Sequence, residues 1–164
     1  EQVYDVRVVE IPLTNSLLVA FVNNADAQIL SGHTWRLEVR GGAKKRRYAR
    51  TTIKGKNVSM HRLIMGFPTG MLVDHKNQNG LDCRRRNMRV CTHSQNQMNR
   101  GATARSKTGL KGAFQQTKKG SGFYASGKVG GERVYLGNYP SAIAAHRAYV
   151  AWAKKAHGEF FRAS

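Results

Sequence analysis

Acidic residues are scarce in this chain of 164 residues. Nine Asp and Glu stand against 28 Lys and Arg, which gives a formal net charge of +19. No acid occurs between Glu38 and Asp74 or between Asp82 and Glu132. Such a surplus favours polyanionic partners, because each neutralised phosphate releases counterions. We therefore predict binding to nucleic acid. An anionic membrane surface is the weaker alternative, since no long basic amphipathic helix is indicated.

Cysteines and long apolar runs are also scarce. The chain has only Cys83 and Cys91, without a Cys-x-x-Cys spacing, which excludes a four-sulfur zinc site. We expect both thiols to be reduced. No run of about 18 apolar residues predicts a membrane span, and no secretion signal opens the chain. We expect a cytoplasmic protein with no membrane partner and no small organic cofactor.

The first 66 residues have the pattern of an antiparallel β region followed by a helix. A short helical turn is predicted over residues 26–30, with Ile29 and Leu30 buried, and apolar residues at helical spacing predict a helix over 58–66. The basic run 44–47 is either a solvated loop or a phosphate contact. Alternation and β-branched residues predict two or three short strands over 4–22, then strands over 35–39 and 48–53.

The last third of the chain predicts three short strands and one helix. Residues 100–108 hold no large apolar side chain, which predicts a linker or a basic arm that follows a groove. The helix is predicted from Ser141, as N-cap, through His157, with Gly158 ending it. The strands are predicted over 110–115, 122–129 and 133–139. The helix face expected to pack on the sheet holds Ile143, Ala144, Ala148, Tyr149 and Trp152.

Four side chains between residues 74 and 96 suit the hydrolysis of a phosphodiester. That reaction needs a base that activates water, a positive centre and help for the leaving oxygen. His75 suits the role of base near neutral pH, and the amide oxygen of Asn87 can accept the proton of one ring nitrogen. Asp74 and Asn96 offer oxygen ligands for one Mg²⁺, for which Mn²⁺ should substitute. This reading requires Asp74 and Asn96 to lie close together and the imidazole of His75 not to turn into the interior.

The local pattern around these residues predicts two strands and a helix. Residues 71–73 read as a strand that delivers Asp74 and His75 to a turn, and 77–80 read as a loop. Residues 87–91 read as the returning strand. Either Thr92 or Ser94 can cap a following helix that carries Asn96 and Asn99.

This segment resembles the HNH nucleases with a ββα-metal fold, most closely the phage-type HNH homing endonucleases. The resemblance implies His75 as general base, Asn87 as the residue that orients it, and Asp74 and Asn96 as ligands of one divalent ion. The matching residues are His61-Arg62-Leu63-Ile64, Val73-Asp74-His75, Leu81-Asp82 with Arg84, Asn87-Met88-Arg89, and Asn96 through Asn99. The upstream residues Ile11-Pro12-Leu13-Thr14, Trp35 and Tyr48-Ala49 also look like the N-terminal region of these proteins.

Two departures from that family are visible. The family commonly has Asn where this chain has Cys83, and an acidic cluster where this chain has residues 22–26. A weakly active nuclease is therefore an alternative. His61 on the predicted helix is expected to pack rather than to act directly. His93 is expected to be a surface residue or a phosphate contact, with metal ligation as the alternative. The run Arg84-Arg85-Arg86 is expected to bind phosphate.

The tail from about Gly109 carries a spaced set of glycine, aromatic and alanine residues: Gly112, Phe123-Tyr124-Ala125, Val134-Tyr135-Leu136-Gly137, Tyr139, Ala144-Ala145, Ala148-Tyr149, and Gly158 with Phe160 or Phe161. This set resembles the ethylene-response-factor (Apetala-type) DNA-binding domain, which reads the major groove with one face of a three-stranded sheet. The resemblance implies that Lys111, Lys128, Arg133 and Tyr135 face DNA, with Gln115, Gln116 and Lys118 as additions. Lysine in place of arginine predicts tolerant sequence reading. A small module that only adds stability is the alternative.

The patterns together predict an α+β fold of three segments. Residues 1–100 form a nuclease domain, in which an N-terminal β meander leads into a ββα-metal core at about 70–100; residues 101–108 form a basic linker, and 109–164 form the Apetala-type domain. Arg100, Arg105 and Lys107 are expected to contact DNA. We predict a site-specific endonuclease, monomeric on double-stranded DNA, that nicks one strand. The alternatives are a non-catalytic DNA-binding protein or regulator, and an RNase or structured-RNA binder.

Overall fold

A computed structural model describes residues 7–41, 45–103, 106–116 and 122–162, and its sheets consist of antiparallel strands. The chain divides into two compact units, Glu1–Thr92 and His93–Ser164. The start of the first predicted strand, Lys44 of the basic run, Arg105 and Lys118 lie outside the described residues. The predicted α+β class with antiparallel sheets is confirmed.

The first unit begins with a β-hairpin and a helix. Strands β1 (Val8–Pro12) and β2 (Val19–Asn23) pair antiparallel, as the alternation predicts, and helix α1 (Asn24–Ser31) follows at once. The expected burial of Ile29 is wrong: Ile29 is 51% exposed and Leu30 is 1% exposed. Neighbours on a helix lie about 100° apart, so only one of the two faces the core.

A three-stranded meander and a short helix follow. Strands β3 (Arg36–Arg40), β4 (Arg46–Ile53) and β5 (Lys56–Ser59) form a sheet in that order, which confirms the predicted meander. Helix α2 (Met60–Ile64) is shorter than predicted, because residues 58 and 59 pair with β4 instead of joining the helix. The core that these elements share is centred on large side chains, among them Trp35, Leu30, Met60 and Val22.

The hairpin of β6 (Leu72–His75) and β7 (Met88–Cys91) completes the first unit. The loop between these strands is anchored on β2, since Phe21 N donates to Leu81 O and Cys83 N donates to Phe21 O, both at 2.8 Å. A turn of 3-10 helix, Arg85–Asn87, leads into β7. The predicted strands on both sides of this loop are therefore present.

The second unit starts with helix α3 (His93–Met98) and continues as a sheet covered by one helix. Strands β8 (Ala113–Gln115), β9 (Phe123–Val129) and β10 (Glu132–Tyr139) pair antiparallel in the order β10-β9-β8. Helix α4 (Ala142–His157) packs on this sheet around small residues such as Ala125 and Ala145.

The ends of α4 follow the sequence signals. The Ser141 hydroxyl accepts from Ala144 N at 3.1 Å, which confirms the N-cap, and Gly158 ends the helix with φ +53°. The expected packing of Ile143 on the sheet is wrong, since its side chain is 59% exposed. Within the described residues, no helix is long and apolar enough to cross a membrane.

Gly127 allows Trp152 of α4 to lie directly on β9. A Cβ on Gly127 would come within 1.9 Å of the Trp152 ring, so Gly127→Ala should lower the free energy of unfolding by about 1–3 kcal/mol through overpacking. Gly122→Ala is the matched control, because the nearest atom to its Cβ lies at 3.8 Å. Thermal and urea unfolding measure both variants. Equal free energies of unfolding for the two variants would show that the Trp152 ring can move away from residue 127 without loss of stability.

Candidate active site

Strand β6 ends in Asp74 and His75, both of which are buried. Asp74 lies opposite Arg89 in the β6–β7 register, and the Arg89 guanidinium donates to Asp74 Oδ2 from Nη2 at 2.9 Å and from Nε at 3.1 Å. Arg89 is buried as well, which makes this an interior ion pair. The sequence reading took Arg89 as a motif residue and missed that it fixes the orientation of the Asp74 carboxylate.

The ring of His75 is enclosed by side chains from three segments. Its centroid lies 5.0 Å from the ring of His61 and 6.2 Å from the ring of Tyr48, and its Nε2 lies 3.9 Å from Sγ of Cys83. These neighbours come from α2, β4 and the loop after β6. Sequence reasoning did not assign any of the three to the site, although His61 and Tyr48 fall within the matched motifs.

Burial sets the charge of both imidazoles. It lowers the pKa of His75 to about 4, against smaller opposing effects of Asp74 and Asp82. It also lowers the pKa of His61 to about 3, and repulsion by His75 adds to this. Both rings are therefore uncharged at neutral pH. His75 is 5% exposed, so its imidazole lies largely in the interior, where the sequence prediction required access to water.

Asn87 holds the loop after β6. Its Nδ2 donates to Asn77 Oδ1 at 3.0 Å and to Asp82 O at 2.8 Å, and its Oδ1 accepts from Asn77 N at 3.1 Å. The amide oxygen that was expected to meet His75 is thus engaged by the loop backbone. The reason is local: the 3-10 turn places the buried amide of Asn87 inside the loop. Its catalytic role stays a prediction.

The three consecutive arginines have different environments. Arg84 donates two hydrogen bonds of 2.6 Å to the Asp82 carboxylate. Burial alone would raise the pKa of Asp82, but the bonds from Arg84 outweigh this effect and the pKa is lowered. Arg85 binds Asp26, which is 1% exposed, and donates to Ile64 O. Arg86 is exposed and has no carboxylate partner among the described residues. Arg84 and Arg85 are therefore engaged in structural ion pairs.

Asn96 lies on α3, in the second compact unit, and is half-buried. Its predicted approach to Asp74 stays a prediction. His93, the first residue of α3, is exposed. No group of three or more His, Cys, Asp or Glu side chains in the described ranges is placed to hold a metal ion. The predicted ligands are instead one carboxylate and one amide oxygen, a pair of hard donors suited to Mg²⁺ with water completing its shell.

One face of the sheet in the second unit is basic and aromatic. Lys128 and Arg133 are cross-strand partners and both are exposed, and Tyr135 next to them is 59% exposed. They lie on the face opposite Gly127, which contacts α4. The ring of Tyr124 contacts two other aromatic rings on this face. It stacks on Phe114 with a centroid distance of 5.1 Å, and its centroid lies 6.2 Å from that of Tyr135.

Lys111 is placed differently from the expectation. Its ammonium donates to Met98 O and Arg162 O, and burial lowers its pKa to about 8. The Lys111 ammonium therefore joins two segments of the second unit, and its expected contact with DNA is not supported. Arg100 and Lys107 are exposed, as phosphate contacts require.

Comparison with known proteins gives one family match. Residues 60–98 match the family model described as HNH endonuclease. No curated protein and no solved structure matches the chain. The match spans α2, the β6–β7 hairpin and α3, including Asp74, His75, Asn87 and Asn96. HNH nucleases act on DNA and generally use a divalent metal ion. Residues 60–98 thus form an HNH endonuclease domain, and the chain is a nuclease, a phosphodiester hydrolase.

Proposed function

We propose that the chain is a metal-dependent endonuclease of the homing type, which hydrolyses one phosphodiester of double-stranded DNA and nicks one strand as a monomer. The state of His75 carries the proposal: an uncharged imidazole lies one residue from a buried carboxylate within an HNH endonuclease domain. An imidazole must be uncharged to take a proton from water. His75 is therefore the proposed general base: it takes a proton from the water whose oxygen attacks the scissile phosphorus, while the bond from phosphorus to the 3′ oxygen breaks.

Asp74 and Asn96 are the proposed ligands of one Mg²⁺, for which Mn²⁺ can substitute. The donor chemistry fits, because hard divalent ions take carboxylate and amide oxygens and keep several waters. A bound ion would neutralise charge on the scissile phosphate and stabilise the leaving 3′ oxygen. Arg89 fixes the orientation of the Asp74 carboxylate through Oδ2. Asn87 keeps the loop after His75 in place.

Duplex DNA as substrate is supported by charge and by exposed cations. The net charge is +19, and Arg86, Arg100 and Lys107 are exposed. We propose residues 1–100 as the nuclease domain and 101–108 as a basic linker that follows the duplex. The compact units divide at Thr92 instead, yet α3 belongs to the nuclease by its motif.

We propose that residues 109–164 are an Apetala-type DNA-binding domain that lengthens the recognised site. The exposed face with Lys128, Arg133 and Tyr135 is the proposed reading surface, and α4 covers the opposite face. Such a two-part enzyme suits a phage-encoded homing endonuclease that works in the bacterial cytoplasm.

A catalytically degenerate DNA-binding protein is the second candidate. Two observations favour it: His75 is 5% exposed, which restricts access of water, and Arg89 occupies one oxygen of the proposed metal ligand Asp74. A supercoiled plasmid that carries the DNA flanking the gene separates the two. Open circles that form with Mg²⁺ or Mn²⁺ and not with EDTA support the nuclease. Closed circles that persist at all enzyme levels, while the protein binds this DNA, support the second candidate.

His75→Ala should lower the nicking rate by about 100-fold or more, because general-base catalysis is lost, while DNA affinity stays within about twofold. Single-turnover nicking and a binding titration measure the two quantities. His33→Ala is the control, since His33 contacts only the ring of Trp35 among the aromatic pairs described. An equal loss of rate and affinity would count against His75 as the base.

Arg86→Gln should weaken DNA binding, because one phosphate contact is lost. The slope of log affinity against log salt concentration should become less steep by about one. Its melting temperature should not change. Arg85→Gln is the matched variant: it leaves Asp26 buried without its cation and should lower the free energy of unfolding by roughly 1–3 kcal/mol. A salt dependence that stays at the wild-type value in Arg86→Gln would exclude the phosphate contact.

The triple variant Lys128→Gln, Arg133→Gln, Tyr135→Ala should broaden the set of cleaved sites more than it slows the cleavage step, because the reading face is lost. Lys154→Gln with Lys155→Gln removes two exposed charges from α4 as a control. Sequencing of the cleavage products from a randomised DNA library compares them. An unchanged cleavage map in the triple variant would reject this face as the reader.

A further inference from the structure

Three aromatic side chains lie in a row on the sheet face of the second unit that α4 does not cover. Phe114 of β8 and Tyr124 of β9 are direct cross-strand partners, and Tyr135 of β10 completes the row. The planes of the Phe114 and Tyr124 rings differ by 21°, and those of Tyr124 and Tyr135 differ by 32°. The three rings are therefore close to parallel and span all three strands.

A bulge in β10 determines which of its residues share this face. The register shifts between Tyr135 and Gly137, so that Tyr135 pairs with Ser126 and Asn138 pairs with Tyr124. Gly137 has φ +114°, a conformation that residues with a Cβ rarely adopt. Because of the bulge, Tyr135 and Asn138 lie on the same face, although they are an odd number of positions apart.

The two outer rings of the row are open to solvent. Tyr135 is 59% exposed and Phe114 is 39% exposed, whereas Tyr124 between them is partly buried. In the part of the chain that the structure describes, Tyr124 is the aromatic ring beside each of them. None of the three rings belongs to the core that the sheet shares with α4. Exposed aromatic side chains next to one another indicate a binding surface.

Cations border the aromatic row. Lys128 and Arg133 pair across β9 and β10 on the same face, and both are exposed. Glu132 is the only acid in β8, β9 and β10, and strand alternation places it on the other face from Arg133. This charge suits a phosphate backbone and disfavours a second copy of the chain, whose own cations would meet these.

Stacking on an aromatic ring requires a base whose face is accessible. In a duplex, neighbouring base pairs cover the faces of each base, and its edges alone line the grooves. In a single strand, the bases can turn outward and stack on aromatic side chains while cations contact the phosphates. Lys128 and Arg133 can therefore contact either form of DNA, whereas the rings add affinity for unpaired bases.

We propose that this aromatic face, composed of Phe114, Tyr124, Lys128, Arg133 and Tyr135, binds single-stranded DNA by stacking unpaired bases on its rings. Single-stranded DNA is thus a second ligand of the face, besides the duplex that it is proposed to read. DNA is the expected nucleic acid because the same chain contains an HNH endonuclease domain, and HNH nucleases act on DNA. Binding should tolerate changes of sequence, since every base has a π face.

Fluorescence anisotropy measures this binding when the full chain is titrated, in EDTA, into a labelled strand of about twelve thymidines, a length within the usual range for one binding module. Phe114→Leu keeps an apolar side chain and removes the aromatic ring, so it should weaken binding of this strand about fivefold or more. Its affinity for a duplex of the same length should stay within about twofold, because base faces are covered there. Phe67→Leu is the matched control, since Phe67 is an exposed aromatic residue of the first unit.

An abasic strand of the same length and charge separates stacking from charge. The wild type and Phe114→Leu should bind the abasic strand equally, whereas Lys128→Gln should weaken binding of the abasic strand, the thymidine strand and the duplex alike. The proposal is wrong if Phe114→Leu binds the thymidine strand as well as Phe67→Leu does. It is also wrong if Phe114→Leu loses duplex affinity to the same extent, or if the wild type prefers an RNA strand of that length.

Photocrosslinking needs no variant and so decides the matter if Phe114→Leu does not fold. A strand that contains 5-iodouracil, irradiated with the wild type, should form its crosslinks at Phe114, Tyr124 or Tyr135, as located by mass spectrometry. Crosslinks confined to other segments contradict the proposal. Sedimentation velocity of the wild type without DNA tests the other occupant: a dimer that Phe114→Leu dissociates would show that a second copy covers the aromatic face, and would overturn the proposal.

The single-strand measurements do not depend on cleavage. If the chain binds the thymidine strand through its rings and cuts no DNA, the proposed nuclease fails and the ligand of the aromatic face is confirmed. If the chain cuts duplex DNA and Phe114→Leu binds the thymidine strand like the wild type, the nuclease is supported and single-stranded DNA is excluded as a ligand of this face.

Discussion

The backbone pairing of Phe21 with the loop after β6 is the constraint on which the candidate site depends. Two 2.8 Å hydrogen bonds join Phe21 to Leu81 and Cys83, and the Asp26–Arg85 ion pair ties α1 to the end of the same loop. The N-terminal hairpin and α1 are thus bonded to the loop that follows β6. Because side chains of this loop, β4 and α2 surround the His75 ring, a change in β2 would shift the surroundings of His75 without direct contact.

Much of the fold could be predicted from the sequence because the signals are local. Alternation marked the meander and the three strands of the second unit, and Ser141 and Gly158 marked the ends of α4. The predictions from sequence fail where contacts with a distant part of the chain determine the local structure or the burial of a side chain. Residues 58 and 59 fit a helical pattern but pair with β4. Ile143 fits the apolar face of α4, but its side chain is exposed and lies outside the core of the second unit.

The roles proposed for the candidate site residues stay predictions, whereas the contacts of these residues can be compared with the sequence. The HNH match covers the four residues chosen from their chemistry, since spacing and residue type can be read along the chain. The residues that contact these side chains in space cannot be predicted from spacing and residue type. Asp26 is 59 residues from Arg85, and Tyr48 is on a different sheet from His75. Asn87 bonds to the loop instead of to the ring, because the 3-10 turn directs its amide there.

The scarcity of acids explains how the surplus charge is distributed. Four of the nine acids, Glu38, Asp26, Asp74 and Asp82, form ion pairs with arginines of the first unit. Three of these four are buried, so they fix arginines in the interior or at its edge and leave little negative charge to face a phosphate. Arg86, Arg100 and Lys107, for which the described residues provide no carboxylate partner, are exposed. A chain with so few acids can use them to stabilise its fold and still keep a large excess of positive charge for a polyanion.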